Sequence, residues 1–306
     1  MRNKSLDDKL VITIGGFDGV HLGHQAIIQE VQNWAKEIGA RTGVLTFEPH
    51  PAKVLYPDFP YLLTPLLEKR LILIELGVDF VQILNFDERL RNMEPEEFVR
   101  EMVVRQLQPA AVVIGADHRF GKDARGDIKM LKKILDEYGI LLKVVPEVIH
   151  LGAPVRSTRI REHLVLGHIQ LANELLGRYY AIAGKTIKGT GTGRKLGFPT
   201  INIQPVSQDK LLPAEGVYAG VAELGGKRFA GAVNIGFRPT FAFGVKNVEV
   251  HLLNFAGEVP EGSEVVVRLI EHLRPEQKFP NPAALKEQIG ADIMRVQEVI
   301  ERERPR

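Results

Sequence analysis

Between Leu10 and Val145 the apolar residues change period repeatedly, and few folds accommodate that. Short apolar runs at Leu10–Ile14, Thr42–Phe47, Phe80–Leu84, Ala110–Ile114 and Ile140–Val145 read as strands. The stretches between them, Gly23–Ile38, Pro65–Leu76, Pro95–Leu107 and Asp127–Tyr138, carry apolar residues at helical spacing. In the first of these Ile27, Ile28, Val31, Trp34, Ala35 and Ile38 share a face, and Gly39 supplies the stop. Strands alternating with amphipathic helices imply βαβ units, a parallel sheet and right-handed crossovers. Ligands on such sheets collect beyond the carboxyl ends of the strands, near the point where the strand order reverses. Two glycine-bearing segments follow strand ends in this way, Gly15–His24 and Gly115–Gly121.

Beyond a helical stretch from Ser157 to Leu176, closed by Gly177, the texture changes. Short β-rich runs follow at Val217–Val221, Arg228–Asn234, Val248–Phe255 and Glu264–Ile270, separated by Gly, Pro and Asn. That spacing predicts a small antiparallel barrel or sandwich. A helix from about Pro282 closes the chain, with Leu285, Ile289, Ile293, Val296 and Ile300 on one face. A chain of 306 residues suits two domains, and the texture puts their boundary within Gly177–Ala183. The expected fold class is therefore α/β plus β, with residues 1–180 Rossmann-like and residues 181–306 a small β-barrel with a terminal helix.

Composition removes several function classes. With 40 basic and 38 acidic residues the net charge is +2, which argues against a protein built to coat nucleic acid. The absence of cysteine rules out disulfides, thiolate metal sites and cysteine nucleophiles, and fits a reducing cytoplasm. The first residues show no signal-peptide core, and no apolar run approaches the roughly 20 residues that span a bilayer. The expectation is a soluble cytoplasmic protein without a membrane partner; a homo-oligomer is compatible with it.

The first constellation is "GGFDGVHLGH", Gly15–His24. Taken alone, His21 and His24 allow a metal, an anion or an inert turn. Glycines after a strand let a backbone approach a ligand, and the following helix N-terminus favours negative charge. Histidines in that turn add donors for phosphate oxygens. A metal would need further ligands that are not evident nearby, so the order strand, glycine turn, histidine pair and helix favours phosphate.

This stretch resembles the signature of the HxGH nucleotidyltransferase superfamily in its flavin-adenylyltransferase form. The resemblance implies that His21 and His24 bind the triphosphate and steady the transition state, with Gly15, Gly16, Phe17 and Gly23 at the nucleotide. The superfamily's second signature, Ser-Ser-Thr-x-Ile-Arg, is matched by "VRSTRIR", Val155–Arg161, through Ser157, Thr158 and Arg161, with Arg156 in place of the first serine. Hydroxyls and a guanidinium at a helix start suit phosphate oxygens, although a serine there is also an ordinary helix cap. "TFEPHP", Thr46–Pro51, and "IGADHRFG", Ile114–Gly121, are similar to the family's flavin- and nucleotide-side loops, which implies flavin contacts at His50 and Asp117. The second loop carries His118 where the family usually has phenylalanine.

The second constellation is "GKTIKGTGTGRKLGFPTINI", Gly184–Ile203. Gly189, Gly191 and Gly193, interleaved with Lys188, Arg194 and Lys195, are spaced for a flexible anion-holding loop, or for a glycine-rich hairpin. The run lacks the ending of a Walker A loop. Thr200 and Asn202, two apart on a strand, offer two neutral oxygens to one face. That suits magnesium that arrives with nucleotide phosphates.

This run resembles riboflavin kinase, and "GVYAG" (Gly216–Gly220), "AVNIGFRPTF" (Ala232–Phe241), "VEVHLL" (Val248–Leu253) and "HLRPEQKF" (His272–Phe279) continue the resemblance. It implies that Thr200 and Asn202 bind Mg2+ with ATP, that Gly189, Gly191, Gly193 and Lys195 bind nucleotide, that Arg274 contacts flavin, and that Glu249 is the base. The family's Asp-Leu-Tyr-Gly-like turn is replaced by "FAGEVPEG", Phe255–Gly262, a departure that bears on flavin contacts. As a whole the chain resembles the bacterial bifunctional riboflavin kinase/FAD synthetase (FMN adenylyltransferase) family. The resemblance implies riboflavin, FMN and ATP as small-molecule partners and two consecutive reactions. The rival readings are an enzyme with only the adenylyltransferase working, another adenylyltransferase of the superfamily, and a non-catalytic flavin- or nucleotide-binding regulator.

Overall fold

The computed structural model of the chain describes residues 9–56, 58, 59, 61–189, 191–237 and 246–303. The chain forms two compact units, Met1–Ser157 and Thr158–Arg306.

In the first unit five strands, β1 (Leu10–Ile14), β2 (Arg41–Glu48), β3 (Phe80–Asn85), β4 (Ala111–Gly115) and β5 (Leu141–Val145), form a wholly parallel sheet in the order β3-β2-β1-β4-β5. The order reverses between β1 and β4, so the two glycine-bearing segments leave the sheet side by side at its switch point. The inner strands read as continuous apolar runs because both faces are covered. Val11, Ala111 and Val113 pack against Val31 and Ala35 of the Leu22–Ile38 helix. Ile12, Ile14, Val112 and Ile114 face the opposite layer, with Phe98, Val103, Leu131 and Leu135. The first helix ends at Gly39, whose φ of 63° is the left-handed cap that glycine supplies most readily.

The expected helix Pro95–Leu107 is a short α-helix, Pro95–Phe98, that widens into π-type turns over Val99–Arg105. The buried residues Val99, Val103 and Val104 recur every four to five positions, and the wider turn keeps them on one face. A two-stranded ribbon, β6 (Ile149–His150) with β7 (Ala153–Pro154), precedes the boundary between the units.

The second unit opens with two helices rather than one, Ser157–Val165 (whose first residue still belongs to the first unit) and Ile169–Leu176. Gly167, with φ of 77°, separates them. Asn173 donates to Leu269 O (3.0 Å) and accepts from Tyr180 N (2.6 Å), which ties the second helix to the sheet that follows. That sheet is a closed antiparallel barrel of β8 (Tyr180–Ile187), β9 (Thr200–Pro205), β10 (Gly216–Leu224), β11 (Lys227–Phe237), β12 (Lys246–Leu252) and β13 (Glu264–Arg274). Closure in the order β10-β11-β12-β9-β8-β13 leaves no unpaired edge. Tyr180, Ile182, Ile203, Tyr218, Val233, Val248, Val250 and Val267 form its fully buried interior.

The terminal helix Pro282–Glu303 lays Ile293, Val296, Val299 and Ile300 over Ala219 and Ile270 on the outside of the barrel. An ion pair fastens it there. Asp292, 5% exposed, accepts at Oδ1 from Arg274 Nε (3.0 Å) and Gln288 Nε2 (2.9 Å), and at Oδ2 from a second guanidinium nitrogen (2.8 Å).

Two buried ionisable features give measurable consequences. Breaking one partner of a buried pair leaves a charge without compensation, at about 3 kcal/mol. Asp292→Ala is therefore expected to lower stability by roughly that amount in urea denaturation. The joint change Arg274→Met with Asp292→Leu is expected to recover most of the loss, because it removes both charges. In the first unit His118 follows β4, its ring beside Phe120 at 5.8 Å and its Nε2 buried without a hydrogen-bond partner. Burial holds its pKa down at about 4 against an ordinary 6.5, with Asp117 opposing the shift. An unfolded chain takes up that proton as pH falls below 6.5 and the folded chain does not, so full stability above that value is lost progressively down to about 4. The loss reaches about 3 kcal/mol, and His118→Phe is expected to flatten this part of the stability–pH curve.

Candidate active sites

The turn after β1 is forced into an unusual shape. Phe17 (φ 49°) and Val20 (φ 40°) occupy the left-handed region although neither is glycine, and Val20 is β-branched. Such residues carry on the order of 1–3 kcal/mol of strain each and persist only where the surroundings over-determine them. The surroundings do so here. Asp18 is buried, and its carboxylate accepts from Leu63 N (3.2 Å) and Thr64 N (2.9 Å). Gly19 N donates to Thr64 Oγ1 at 2.8 Å. Beneath the turn Lys69, 2% exposed, donates from Nζ to Gly16 O (2.7 Å) and Thr46 Oγ1 (3.4 Å). Burial pushes the Lys69 pKa down, while Asp18 and Glu48 oppose it.

His21 stands at the N-cap of the Leu22–Ile38 helix, and its ring stacks on His24 with centroids 3.7 Å apart. The Phe17 ring lies tilted against His24 at 4.9 Å. His50 caps the short Pro51–Leu55 helix through Ala52 N (3.2 Å), and its ring lies against Gly16. A Cβ on Gly16 would come within 2.5 Å of His50 Nε2, so only glycine lets the two meet. Gly15 donates to Leu45 O (3.0 Å), and Gly23 packs against the His21 ring. Asp117 lies exposed in the loop after β4, its Oδ1 close to Gly115.

Ser157 Oγ donates to Asp18 O at 2.8 Å, which joins the second signature to the first across 139 residues. Thr158 and Arg161 lie one to four residues further along the same helix, in the second compact unit, and Arg161 is buried. The resulting surface at the switch point offers imidazole rings, the amides of a helix start and a hydroxyl, all suited to phosphate oxygens.

In the barrel the key fact is register. Glu249 on β12 lies directly opposite Asn202 on β9, and His251 opposite Thr200. Val248 and Val250 point into the core, so Thr200, Asn202, Glu249 and His251 share the outer face. Asn247, two residues before Glu249, donates from Nδ2 to Glu249 Oε1 (2.8 Å) and to Asn202 Oδ1 (3.1 Å). The glycine-rich segment runs across Asn202 and Thr200. A Cβ on Gly189 would lie 2.1 Å from Asn202 Nδ2, and one on Gly193 would lie 3.2 Å from Thr200 Oγ1 and 2.4 Å from Phe198 O.

The segment expected to be a flexible loop contains a short helix, Thr192–Leu196, bracketed by left-handed Gly191 (φ 74°) and Gly197 (φ 90°). The side chain of Lys195 lies outside the described residues, as does Arg238–Phe241 of the quoted resemblance. Arg274 stands apart from this face, committed to Asp292 and to the Phe279 ring. Lys69, Asp18, Thr64 and Asn247 are the site-forming residues that sequence reasoning missed. Only Asn247 carried a signal, its two-residue offset from Glu249.

A family model described as FAD synthetase matches residues 3–159, and one described as riboflavin kinase matches residues 176–300. The bifunctional riboflavin kinase/FMN adenylyltransferase of Escherichia coli (strain K12) is 37% identical over 290 residues, which cover 94% of this chain and 92% of that protein. The protein of the same name from Pseudomonas fluorescens is 37% identical over 284 residues, covering 92% and 90%. A crystal structure titled as a macrolide-efflux protein from Streptococcus pneumoniae shares the fold, with a TM-score of 0.86 at 26% identity over 96% of this chain and 95% of that one. Among the described residues no helix is long and apolar enough to cross a membrane. By both domain matches and by identity along nearly its whole length, this chain belongs to the bacterial family of bifunctional riboflavin kinase/FMN adenylyltransferases.

Proposed function

We propose that the chain runs two consecutive reactions on flavin, with residues 181–306 converting riboflavin and ATP to FMN and ADP, and residues 1–180 converting FMN and a second ATP to FAD and diphosphate. The observation that carries the assignment is the cross-strand pair of Glu249 and Asn202, whose asparagine lies under Gly189. It sets a carboxylate beside an ATP-side amide oxygen, as a hydroxyl-to-phosphate transfer requires. In the first half of the chain the stacked His21–His24 pair at the sheet's switch point supports the second reaction.

In phosphoryl transfer, positioning and charge stabilisation dominate. Glu249 accepts the proton of the ribityl hydroxyl as its oxygen joins the γ-phosphorus of ATP and ADP leaves. Gly189, Gly191 and Gly193, with Lys195, line the nucleotide. Thr200 and Asn202 fit a magnesium ion that comes with ATP, since such ions take few protein oxygens. A magnesium ion held there would neutralise part of the phosphate charge. In adenylyl transfer the FMN phosphate is itself the nucleophile and needs no base. It attacks the α-phosphorus of ATP, and diphosphate departs. His21 and His24 offer N–H donors to the charge that develops, with Gly15, Gly16, Phe17 and Gly23 shaping the backbone beneath. Ser157 joins them through its bond to the turn, and Thr158 and Arg161 are assigned to the same reaction on the motif they share with Ser157. Flavin contacts are proposed for His50, Asp117 and Arg274. The reactions are placed in the cytoplasm, without nucleic-acid or membrane partners.

Incubation with riboflavin, ATP and Mg2+, followed by chromatography, is expected to show FMN first and FAD after it. Accumulation of FMN alone, or turnover of added FMN alone, would leave one activity; binding without conversion would overturn the enzyme reading. Glu249→Ala is expected to abolish FMN formation while added FMN is still converted to FAD. Replacing His21 or His24 by alanine is expected to stop synthesis at FMN, with adenylyl transfer slowed about 100- to 1,000-fold per donor. If the two classes of variant behaved alike, the division of labour along the chain would be wrong.

A further inference from the structure

We infer that Asn247 is a positioning residue for phosphoryl transfer, holding the Glu249 carboxylate and the Asn202 amide in one fixed orientation. This rests on the reading of Glu249 as the base and Asn202 as an ATP-side oxygen donor. A carboxylate can only accept, so the nitrogen of the Asn247 amide must face Glu249 Oε1, as it does at 2.8 Å. The same nitrogen reaches Asn202 at 3.1 Å and therefore meets its oxygen rather than its nitrogen. That assigns the Asn202 amide completely. Oδ1 turns toward the Asn247 amide, while Nδ2 turns under Gly189.

The arrangement also accounts for an awkward residue choice. Asparagine is poorly suited to strand interiors, and Asn247 lies on β12 with Val248 and Val250 as neighbours. Its β11 partner is Gly236, which offers no side chain of its own, and the Glu276 carboxylate lies over that glycine. What its side chain does touch is Glu249 and Asn202, the two groups that the reaction must align. Loss of an outer partner that orients a reacting group typically lowers activity 10- to 100-fold.

The test uses the full chain and measures both reactions. Asn247→Leu keeps the size of the side chain and removes the donor. It is expected to lower kcat for FMN formation about 10- to 100-fold, with KM for riboflavin and ATP within about threefold of the parent and FMN-to-FAD conversion unchanged. Asn247→Ser, which restores a donor, is expected to recover part of the loss. In the background of Glu249→Gln the leucine change should add little, because Asn247 acts through that carboxylate. A kcat for Asn247→Leu within twofold of the parent would overturn the inference, as would a loss that multiplies with Glu249→Gln or a serine variant as slow as the leucine one. If Glu249→Gln alone retained full kinase activity, the reading of Glu249 as base would fall instead; an inactive Glu249→Gln with an intact Asn247→Leu would remove only the positioning role.

Discussion

A buried ammonium beneath a glycine turn is the interaction on which the shape of the Gly15–His24 segment rests. Taking Lys69 out of water costs several kcal/mol, and burial accordingly lowers its pKa. What offsets that cost is specific: the Gly16 carbonyl at 2.7 Å, the Thr46 hydroxyl, and the charges of Asp18 and Glu48 nearby. Asp18 in turn is held by the amides of Leu63 and Thr64. The network clamps both flanks of Phe17, so its left-handed backbone is fixed by the chain's own contacts. Preorganisation of this kind is what electrostatic stabilisation of a transition state needs, because donors that are already aimed do not reorganise during the reaction.

The second unit achieves alignment by pairing register. In a strand the side chains alternate, so a slip of one residue in the β9–β12 pairing would bury Glu249 and expose Val248. The core residues Ile203, Val248 and Val250 forbid that slip through their burial. The hydrophobic interior of the barrel therefore determines which polar groups meet outside it. Closure adds to this, since β12 is held by β11 on one side and β9 on the other. One fold sets its polar groups by a strained turn, the other by a strand ladder.

The parts legible in the sequence were those governed by period. Each expected strand of the first half is present within a residue or two, and Thr200 and Asn202 do share a face with Glu249. The strand Tyr180–Ile187 was not evident, because alanine, glycine and lysine break its apolar alternation. The helix Ser157–Leu176 hid its interruption at Gly167 for a related reason: apolar spacing continues across the break. Lys69 was concealed more thoroughly. In the Leu66–Glu75 helix Leu67, Leu71 and Ile74 are at least half exposed, whereas Glu68 and Lys69 are buried, so periodicity points to the wrong face. Only tertiary context, a carbonyl and a hydroxyl waiting beneath the turn, makes a buried lysine the better choice.

The departure from the family pattern at Phe255–Gly262 can be weighed on the same terms. Its ends are anchored independently of the reacting groups. Phe255 packs edge-on against Phe229 at 5.2 Å, and Thr186 accepts from Ser263 N and donates to Pro260 O. Between those anchors Glu258 pairs with Arg194 of the glycine-rich segment, their side chains 81% and 72% exposed. An exposed pair of that kind contributes little, on the order of 0–1 kcal/mol. None of these contacts includes Asn202, Asn247 or Glu249. The altered turn therefore leaves the alignment of the Glu249 carboxylate and the Asn202 amide, which the β9–β12 register sets, as the barrel core dictates.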